Sequence, residues 1–333
     1  MKKRILVTGA AGFLGGRTAK FLAQNFDDYQ VIGTSRRANR AEEFAAHQVE
    51  FVAGDLCYDS FCQSLTQNID IVIHCAALSA PFGAYKLFYQ SNYVATETLL
   101  NASIKNRVSK FIFISTPSIY FNYADRFKVS ENEELPKKMV NNYAKTKLLA
   151  ENLVLRANNK GIQTIALRPR AIIGAEDTVI VPRVLEAYHK GKLKIVGDGK
   201  NRCDMTCVRN VIEAIICSIN APADAYGEAY NITDDDEVNF WEVLNYTLTE
   251  LGLTPPSERV PKQIAMFAAT ILELKAYLFQ EKKEPPLTRY GVGVLANHFT
   301  LAISKATTKL SYRPVMKTYE GINEYIKWYK TQQ

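Results

Sequence analysis

A tyrosine and a lysine four residues apart are the first residues of this sequence whose types and spacing could do chemistry. Tyr143 and Lys147 lie in NNYAKTKLLAE, and on a helix this spacing places both side chains on one face. A tyrosine whose pKa is about 10 is a poor base at neutral pH, but a nearby lysine cation favours the phenolate and lowers that pKa. We therefore predict that Tyr143 exchanges a proton with a substrate oxygen and that Lys147 tunes it.

The same spacing occurs once more, at Tyr188 and Lys192 in YHKGK. Gly191 lies between these two residues, at a place where the helix is expected to end. The segment that starts at Tyr143, in contrast, contains no proline or glycine before Gly161. The first pair is therefore predicted to keep its geometry, and the second is predicted to lie on the surface.

A glycine triplet near the N-terminus predicts a dinucleotide site. In RILVTGAAGFLGG, the loop from Gly9 through Gly12 to Gly15 follows an apolar run and opens a helical pattern that begins with Phe13 and Leu14. The first glycine permits a tight turn, the second lets a pyrophosphate approach the backbone, and the third lets the helix pack on the sheet. The N-terminus of the helix then faces the phosphates.

Short apolar runs alternate with helical patterns through the first half of the chain. The runs are RILVTG, YQVIGTS, VEFVAGD, DIVIHCAA, KFIFISTPS and IQTIALRP. This rhythm predicts an α/β fold with a Rossmann-type doubly wound parallel sheet, and with a smaller, mostly helical C-terminal substrate region. We expect a dinucleotide-binding domain over 1–175 to which 205–235 returns, and a substrate-binding region over 176–204 and 236–333.

Composition excludes several classes of protein. The 333 residues include 41 Lys+Arg and 34 Asp+Glu, a net charge of +7, but no basic run alternates with aromatic residues, so no nucleic-acid partner is expected. Anionic ligands or an acidic membrane surface fit this charge. The six cysteines have no zinc-ligand spacing, so we expect reduced thiols and no metal. With no secretory signal or long apolar run, the expected location is cytoplasmic, with membrane association possible.

The glycine spacing and the Tyr143–Lys147 pair together resemble the extended branch of the short-chain dehydrogenase/reductase superfamily. The resemblance implies an NAD(P)-dependent oxidoreductase in which Lys147 also holds the nicotinamide ribose, and a homodimer formed through two helices that include the Tyr143 helix. It places a catalytic hydroxyl after the fifth predicted strand, in FIFISTPSIY, at Thr116, with Ser115 and Ser118 as competitors. It also implies further cofactor contacts at Asp55, Leu56, Cys75, Ala76, Ala77, Asn92, Pro169 and Ile172.

The end of the second predicted strand bears on the choice between NAD and NADP. An acid about 20 residues past the glycine loop would bind the ribose 2′-hydroxyl of NAD. This chain has Ser35, Arg36 and Arg37 there, and a serine with two guanidinium groups would instead bind the 2′-phosphate of NADP. NADP is therefore the expected cofactor, with NAD possible, and the alternative is that both arginines only solvate a loop.

The branch of the superfamily determines the expected reaction. Dehydratases carry Asp-Glu directly after their catalytic threonine, whereas this chain has Pro117 and Ser118 at those positions. Epimerases carry an arginine at the position where this chain has Cys203, and Arg202 lies one residue before it. The stretch GDGKNRCDMTCVRNV resembles the 3β-hydroxysteroid and sterol-4-carboxylate dehydrogenase branch, which includes bacterial 2-alkyl-3-oxoalkanoate reductases. This implies interconversion of a 3-oxo and a 3-hydroxy group on a bulky hydrophobic substrate, with Ser118, Arg170 and Tyr290 as candidate substrate contacts. A nucleotide-sugar 4-epimerase and a dinucleotide-sensing regulatory protein are the alternatives.

The predicted helix over 262–279, which is numbered α10 below, carries large apolar residues at intervals of three and four, which we call the α10 stripe. Its members are Ile264, Phe267, Ile271, Leu274 and Leu278. Three interpretations are open for the helix over 262–279: packing on its own domain, which is usual for an amphipathic helix, a lid over a long apolar substrate, or contact with a membrane.

Overall fold

The computed structural model of the chain describes residues 2–37, 40–279 and 284–332. Its strands are β1 (Lys3–Thr8), β2 (Tyr29–Ser35), β3 (Glu50–Ala53), β4 (Ile71–His74), β5 (Lys110–Ile114), β6 (Arg126–Val129), β7 (Gln163–Pro169), β8 (Ile172–Ile173), β9 (Ile195–Val196), β10 (Arg202–Cys203), β11 (Thr206–Cys207), β12 (Glu228–Ile232), β13 (Val238–Asn239), β14 (Arg259–Val260) and β15 (Phe299–Leu301).

The α-helices separate these strands. They are α1 (Phe13–Asn25), α2 (Ala41–Ala46), α3 (Asp59–Leu65), α4 (Tyr85–Phe88), α5 (Ala95–Lys105), α6 (Asn142–Arg156), α7 (Ile180–His189), α8 (Val208–Ile219), α9 (Phe240–Glu250), α10 (Lys262–Leu278), α11 (Arg289–Ala296), α12 (Ser304–Lys309) and α13 (Thr318–Lys330). A π-helical segment, Tyr89–Val94, joins α4 to α5, and a 3-10 turn, Pro117–Tyr120, follows β5.

Seven parallel strands form the main sheet, in the order β12-β7-β5-β4-β1-β2-β3. Strand β1 pairs with both β2 and β4, so the direction in which the sheet grows reverses between β1 and β4. Open α/β sheets bind ligands at such a switch point, outside the carboxyl ends of the strands. The predicted Rossmann-type sheet is confirmed.

The sheet is buried on both faces, which explains why its strands are apolar runs rather than alternating patterns. Ile5 and Val7 of β1 point into a core cluster that contains α1 and α8 side chains, whereas Leu6 points into a second cluster formed with α3, α5 and α6. All three side chains are fully buried. This double cover fixes the positions of the strand ends at which the predicted site residues lie.

The C-terminal half contributes to more than one layer. As predicted from EAYNITDD, β12 returns to the main sheet and pairs with β7, while the limits given for the domains stay a prediction. A smaller four-stranded sheet has the order β13-β10-β15-β6, which joins β6 of the first half to β15 near the C-terminus. The sequence did not predict this sheet because strands of two to four residues carry almost no periodicity.

Helix α10 is present, but its large apolar residues do not face the body of the protein as they do in most amphipathic helices. Ala265, Ala269 and Ala276 are its buried residues. The members of the α10 stripe are instead 51–72% exposed. Packing of the stripe on its own domain is therefore wrong, because the small alanine face is the one that contacts the body of the protein.

Candidate active site

The predicted cofactor residues gather at one edge of the main sheet. Parallel strands all end at the same edge, so the segments that follow β1, β2, β3, β4, β5 and β7 lie together. Ser35 and Pro169 are the last residues of β2 and β7, and the segments that follow the strands contain the glycine loop, Arg36 and Arg37, Asp55 and Leu56, Cys75 to Ala77, and Thr116. Ile172 lies just beyond, in the short strand β8, which pairs with β11.

The glycine loop has space only for glycine at two positions. Gly9 has a φ of +69°, and a Cβ added to it would lie 2.8 Å from the backbone nitrogen of Ala76. A Cβ on Gly15 would lie 2.4 Å from the carbonyl oxygen of Gly9. The loop after β1 therefore packs directly on the segment after β4, at Cys75 and Ala76, two of the residues that the resemblance implied as cofactor contacts.

The N-terminus of α1 fits an anion. Gly12 is its N-cap and supplies no side-chain hydrogen bond, and the first turn contains no acidic residue. Its amide groups therefore point at the sheet edge without a side-chain acceptor, and the helix dipole favours a negative charge there. A loop that only glycine can form, followed by an open helix N-terminus, fits the pyrophosphate of a dinucleotide.

The segment after β2 is ordered by its own serine. The hydroxyl of Ser35 donates to the Arg37 carbonyl at 2.9 Å and accepts from the Arg37 amide at 3.3 Å. Arg36 and Arg37 are exposed, and neither forms a salt bridge with any residue in the described part of the chain. On the neighbouring strand end, Asp55 accepts a hydrogen bond from the Cys57 amide at 3.0 Å. The two guanidinium groups are thus available to a ligand at this edge.

Lys147 is held firmly beneath the site. Asn141 caps α6 by accepting from the Ala144 amide at 2.8 Å, and the helix continues unbroken through both residues of the pair. The Lys147 ammonium donates to the Ile114 carbonyl at 2.6 Å, lies 3.8 Å from the ring centroid of Phe113, and belongs to a side chain that is 1% exposed. The hydrogen bond fixes α6 against the carboxyl end of β5.

The buried surroundings of Lys147 disfavour its charged form. Burial lowers the pKa of Lys147 to about 7, although the nearby Glu151 and Cys75 raise it in part. A lysine with this pKa titrates near neutral pH, where an ordinary lysine is always charged. Buried, shifted groups of this kind concentrate at functional sites.

In the protein without cofactor, the pKa of Tyr143 lies above its ordinary value. Burial raises the pKa of the phenol, Thr116 and Ser79 lower it in part by hydrogen bonding, and Tyr290 raises it. In the protein by itself desolvation dominates, and the Lys147 ammonium is engaged with the Ile114 carbonyl. That Lys147 and a positive nicotinamide ring together lower this pKa stays a prediction for the cofactor-bound protein. With its proton retained, Tyr143 is suited to act as an acid.

A chain of hydroxyl groups lies beside Tyr143. The Thr116 hydroxyl donates to the Ser118 hydroxyl at 3.0 Å, and the Ser118 hydroxyl lies 2.8 Å from the phenol oxygen of Tyr290. Thr116 also caps the turn after β5 by accepting from the Ser118 amide at 3.1 Å. The structure thus brings together Thr116, Ser118 and Tyr290, which the sequence predicted separately. The competitor Ser115 is buried, and its hydroxyl has no hydrogen-bond partner among the described residues.

Asn92 connects the loop after β4 to helix α6, which carries Tyr143 and Lys147. It lies in the π-helical segment, is 1% exposed, and accepts from the Leu78 amide at 2.7 Å. Its amide nitrogen donates to the Leu78 carbonyl at 3.2 Å and to the Thr146 hydroxyl at 3.1 Å. These bonds fix the loop after β4 against α6, so the described contacts of Asn92 give it a positioning role.

Sequence reasoning missed two features of this site. Ser79 lies beside Tyr143, yet nothing in its local pattern marks it. Glu151, which is 1% exposed, pairs with Arg168 through a hydrogen bond of 2.9 Å from the guanidinium Nε. The sequence did contain a pattern that indicates Glu151, because this residue follows Lys147 by four positions and so lies on the same face of α6.

The second tyrosine–lysine pair is not part of the site. Helix α7 ends at His189, and Gly191 adopts a φ of +65°, so Lys192 lies beyond the helix as predicted. The Tyr188 hydroxyl accepts from the Thr254 amide at 3.1 Å, in the C-terminal region.

Arg170 is buried and packs on Phe299. Its side chain is 8% exposed, and its guanidinium carbon lies 4.4 Å from the ring centroid of Phe299. The charge of Arg170 lowers the pKa values of Cys203 and Asp204 in part, although burial raises both.

Cys203 is buried in β10, whereas Arg202 is exposed and pairs with Glu237. Arg202 therefore points away from the position that Cys203 occupies, as expected for a residue one place early.

Comparison with known proteins agrees with this geometry. Residues 5–233 match the NAD dependent epimerase/dehydratase family. A 3beta-hydroxysteroid-dehydrogenase/decarboxylase isoform 1 of Arabidopsis thaliana is 33% identical over 86% of this chain and 68% of its own length. A 2-alkyl-3-oxoalkanoate reductase of Stenotrophomonas maltophilia is 29% identical over 96% of this chain and 97% of its own.

A similar fold occurs among solved structures. The UDP-glucuronic acid 4-epimerase from Bacillus cereus in complex with NAD superposes with a TM-score of 0.77 at 23% identity, over 98% of this chain and 99% of that one. At this identity the likeness concerns the fold alone. The matched family region contains the glycine loop, the strand ends and the Tyr143–Lys147 pair. The chain thus belongs to the NAD dependent epimerase/dehydratase family of extended short-chain dehydrogenases/reductases and has an NAD(P)-type dinucleotide site.

Proposed function

We propose that this protein is an NADP-preferring oxidoreductase that interconverts a 3-oxo and a 3-hydroxy group on a bulky hydrophobic substrate, such as a 2-alkyl-3-oxo acid or a sterol-like ring. The observation that supports it most is the position of Tyr143, whose pKa burial raises, beside the hydroxyl chain of Thr116, Ser118 and Tyr290. The cofactor supplies or accepts the hydride in this reaction.

Tyr143 acts as the general acid in the direction of reduction. Burial raises its pKa, so the phenol keeps its proton at neutral pH and can give it to the substrate oxygen as that oxygen gains charge. When substrate binds, the Thr116 hydroxyl would exchange its bond to Ser118 for a second hydrogen bond to the same substrate oxygen and so orient it. In the direction of oxidation Tyr143 must first be a phenolate, which takes the proton of the alcohol and becomes the phenol again.

Lys147 supports the phenol from within the protein. Its ammonium is fixed by the Ile114 carbonyl, and its pKa of about 7 lets it lose or gain a proton near neutral pH. A positive charge there lowers the cost of a phenolate at Tyr143 during turnover. Lys147 would also hold the nicotinamide ribose.

The aromatic surroundings and the relatives support an apolar substrate. Tyr290 packs against Phe121 with ring centroids 5.7 Å apart, and Phe121 packs against Phe299 at 5.6 Å. This aromatic wall starts at the hydroxyl chain and offers ring surface to an apolar substrate. The names of both curated relatives refer to steroid or 2-alkyl-3-oxo acid substrates.

Arg36 and Arg37 are expected to select NADP over NAD. The variant Arg36→Ala/Arg37→Ala loses the charge-assisted bonds to the 2′-phosphate, so its Kd for NADP should rise about 100-fold while that for NAD changes by less than about threefold. Titration of each cofactor by tryptophan or cofactor fluorescence measures both constants. Lys105→Ala/Lys160→Ala, which removes two exposed charges from the opposite edge of the sheet, is the control and should change neither constant. Equal losses for both cofactors in the arginine variant would refute the assignment.

A screen for hydride transfer tests the proposed substrate class. NADPH consumption is followed with 2-alkyl-3-oxo acids, with 3-oxosteroids and with UDP-sugars. We expect turnover with an acid or a steroid and none with the sugars. Absence of turnover with every 3-oxo compound would reject the substrate class.

The nucleotide-sugar epimerase is the alternative within the family. It would need a cation for the nucleotide diphosphate, but the corresponding position carries the buried Cys203, and Arg202 pairs with Glu237 at the surface. Interconversion of UDP-sugars without net cofactor consumption would identify it. A dinucleotide-sensing regulatory protein has no need for Tyr143 and Lys147, and this chain keeps both in one unbroken helix.

A further inference from the structure

The α10 stripe is the largest concentration of exposed apolar side chains in the described part of the chain. Its five members lie within one sector of the helix, with Tyr277 and Phe279 beside it at 75% and 72% exposure. Single exposed apolar residues are common on soluble proteins, but contiguous patches mark surfaces that bind something. The opposite face of α10 is the one packed on the body of the protein, through Ala265, Ala269 and Ala276, and the stripe stays exposed among the residues that the structure describes.

The charges around the stripe indicate what it binds. Glu273, the acidic residue of α10, turns inward and accepts from the backbone amide of Arg289 at 2.7 Å and from its guanidinium at 2.6 Å. The exposed Lys275 borders the stripe. An outer face with large apolar residues and a flanking cation matches a helix that lies in the headgroup region of an anionic bilayer.

We propose that α10 is a peripheral membrane contact that inserts the α10 stripe into the headgroup boundary of an anionic lipid bilayer. None of the described helices is long and apolar enough to cross a bilayer, so the helix lies in the plane of the membrane. The chain's net charge of +7 adds a long-range attraction to the same surface. A second copy of the chain is the alternative occupant of this face, and the experiment below distinguishes it from lipid.

The position of α10 connects this surface to the candidate active site. Glu273 holds Arg289, and the next residue, Tyr290, lies 2.8 Å from the Ser118 hydroxyl. Membrane contact would therefore bring the wall of the site to the lipid, from which an apolar substrate could enter. This last step rests on the proposed function, whereas the membrane contact itself does not.

Vesicle binding by matched variants tests the proposal. The full chain is sedimented with vesicles of phosphatidylcholine, with and without phosphatidylglycerol, and Ile271→Glu and Phe267→Glu are compared with the control Val315→Glu. Ile271 and Val315 are 51% and 53% exposed, and each change adds the same charge. We expect the wild type and the control to bind the anionic vesicles, and each stripe variant to bind at least about tenfold more weakly.

Several outcomes would overturn the proposal. They are no binding of the wild type to anionic vesicles, equal binding by the stripe variants, and a loss of binding in the Val315→Glu control. A dimer that sedimentation detects in the wild type but not in Ile271→Glu, without vesicle binding, would assign the stripe to a second copy. Thermal unfolding midpoints and NADPH turnover in detergent-free buffer report folding and activity separately, so failure here and failure of the proposed function are distinguishable.

Discussion

Tyr143→Phe should abolish hydride transfer while cofactor binding stays nearly unchanged. The phenol is the proton donor that lies beside the hydroxyl chain, and loss of a general acid typically costs about 10²–10⁴-fold in rate. Phenylalanine keeps the ring, so the packing of α6 and the glycine loop should not change. The rate is measured as NADPH consumption at saturating substrate, and the cofactor Kd is measured by fluorescence titration.

Tyr188→Phe is the matched control for this variant. Tyr188 has the same spacing to a lysine, but its hydroxyl accepts from the Thr254 amide and its helix ends before Lys192. Its activity should remain within about twofold of the wild type, because the lost hydrogen bond affects stability by only about 1 kcal/mol. A Tyr143→Phe protein that retains wild-type turnover, or a Tyr188→Phe protein that loses it, would contradict the assignment.

Lys147→Met should inactivate the enzyme and yet stabilise the cofactor-free fold at neutral pH. Burial lowers the pKa of Lys147 from 10.5 to about 7, so holding the charge in the folded protein costs free energy that methionine does not. Between these two values the unfolded chain binds more protons than the folded one, so wild-type stability rises as pH increases. The gain from Lys147→Met should thus be largest at or below about pH 7 and vanish above about pH 10.5.

Thermal unfolding of both proteins across this pH range measures the gain. The Ile114 carbonyl loses its donor in the variant, which offsets about 1–3 kcal/mol of it. Lys145→Met, on the same helix but exposed, is the control and should show neither the inactivation nor the pH-dependent gain. A Lys147→Met protein whose stability relative to wild type does not depend on pH would refute the pKa assignment.

The sequence predicted the parts of this site that arise from local patterns. The β1–loop–α1 unit needs glycine where a Cβ would contact Ala76 or Gly9, and the pattern of residues shows this directly. The Tyr143–Lys147 geometry follows from an unbroken helix, and the end of α7 at Gly191 follows from a helix breaker. In each case the signal and its structural consequence lie within about 15 residues of each other.

Contacts between distant segments could not be predicted in the same way. The Ser118–Tyr290 contact joins residues 172 positions apart, and the direction of the Tyr143 pKa shift depends on how far packing removes the phenol from water. Helix α10 shows a second reason why packing could not be predicted from the sequence. It carries both an alanine face and a large apolar face, and helical periodicity does not reveal which of them packs inward.

The most direct test of the central claim is the fate of deuterium from NADPH labelled at the transferable position of its nicotinamide. The labelled cofactor is incubated with a 2-alkyl-3-oxo acid and the protein, and the product is analysed by mass spectrometry. We predict a 3-hydroxy acid that carries one deuterium at C3 with wild-type protein and with Tyr188→Phe, and no such product with Tyr143→Phe. A wild-type protein that transfers no deuterium to any 3-oxo compound, but interconverts UDP-sugars without net cofactor consumption, would contradict the account.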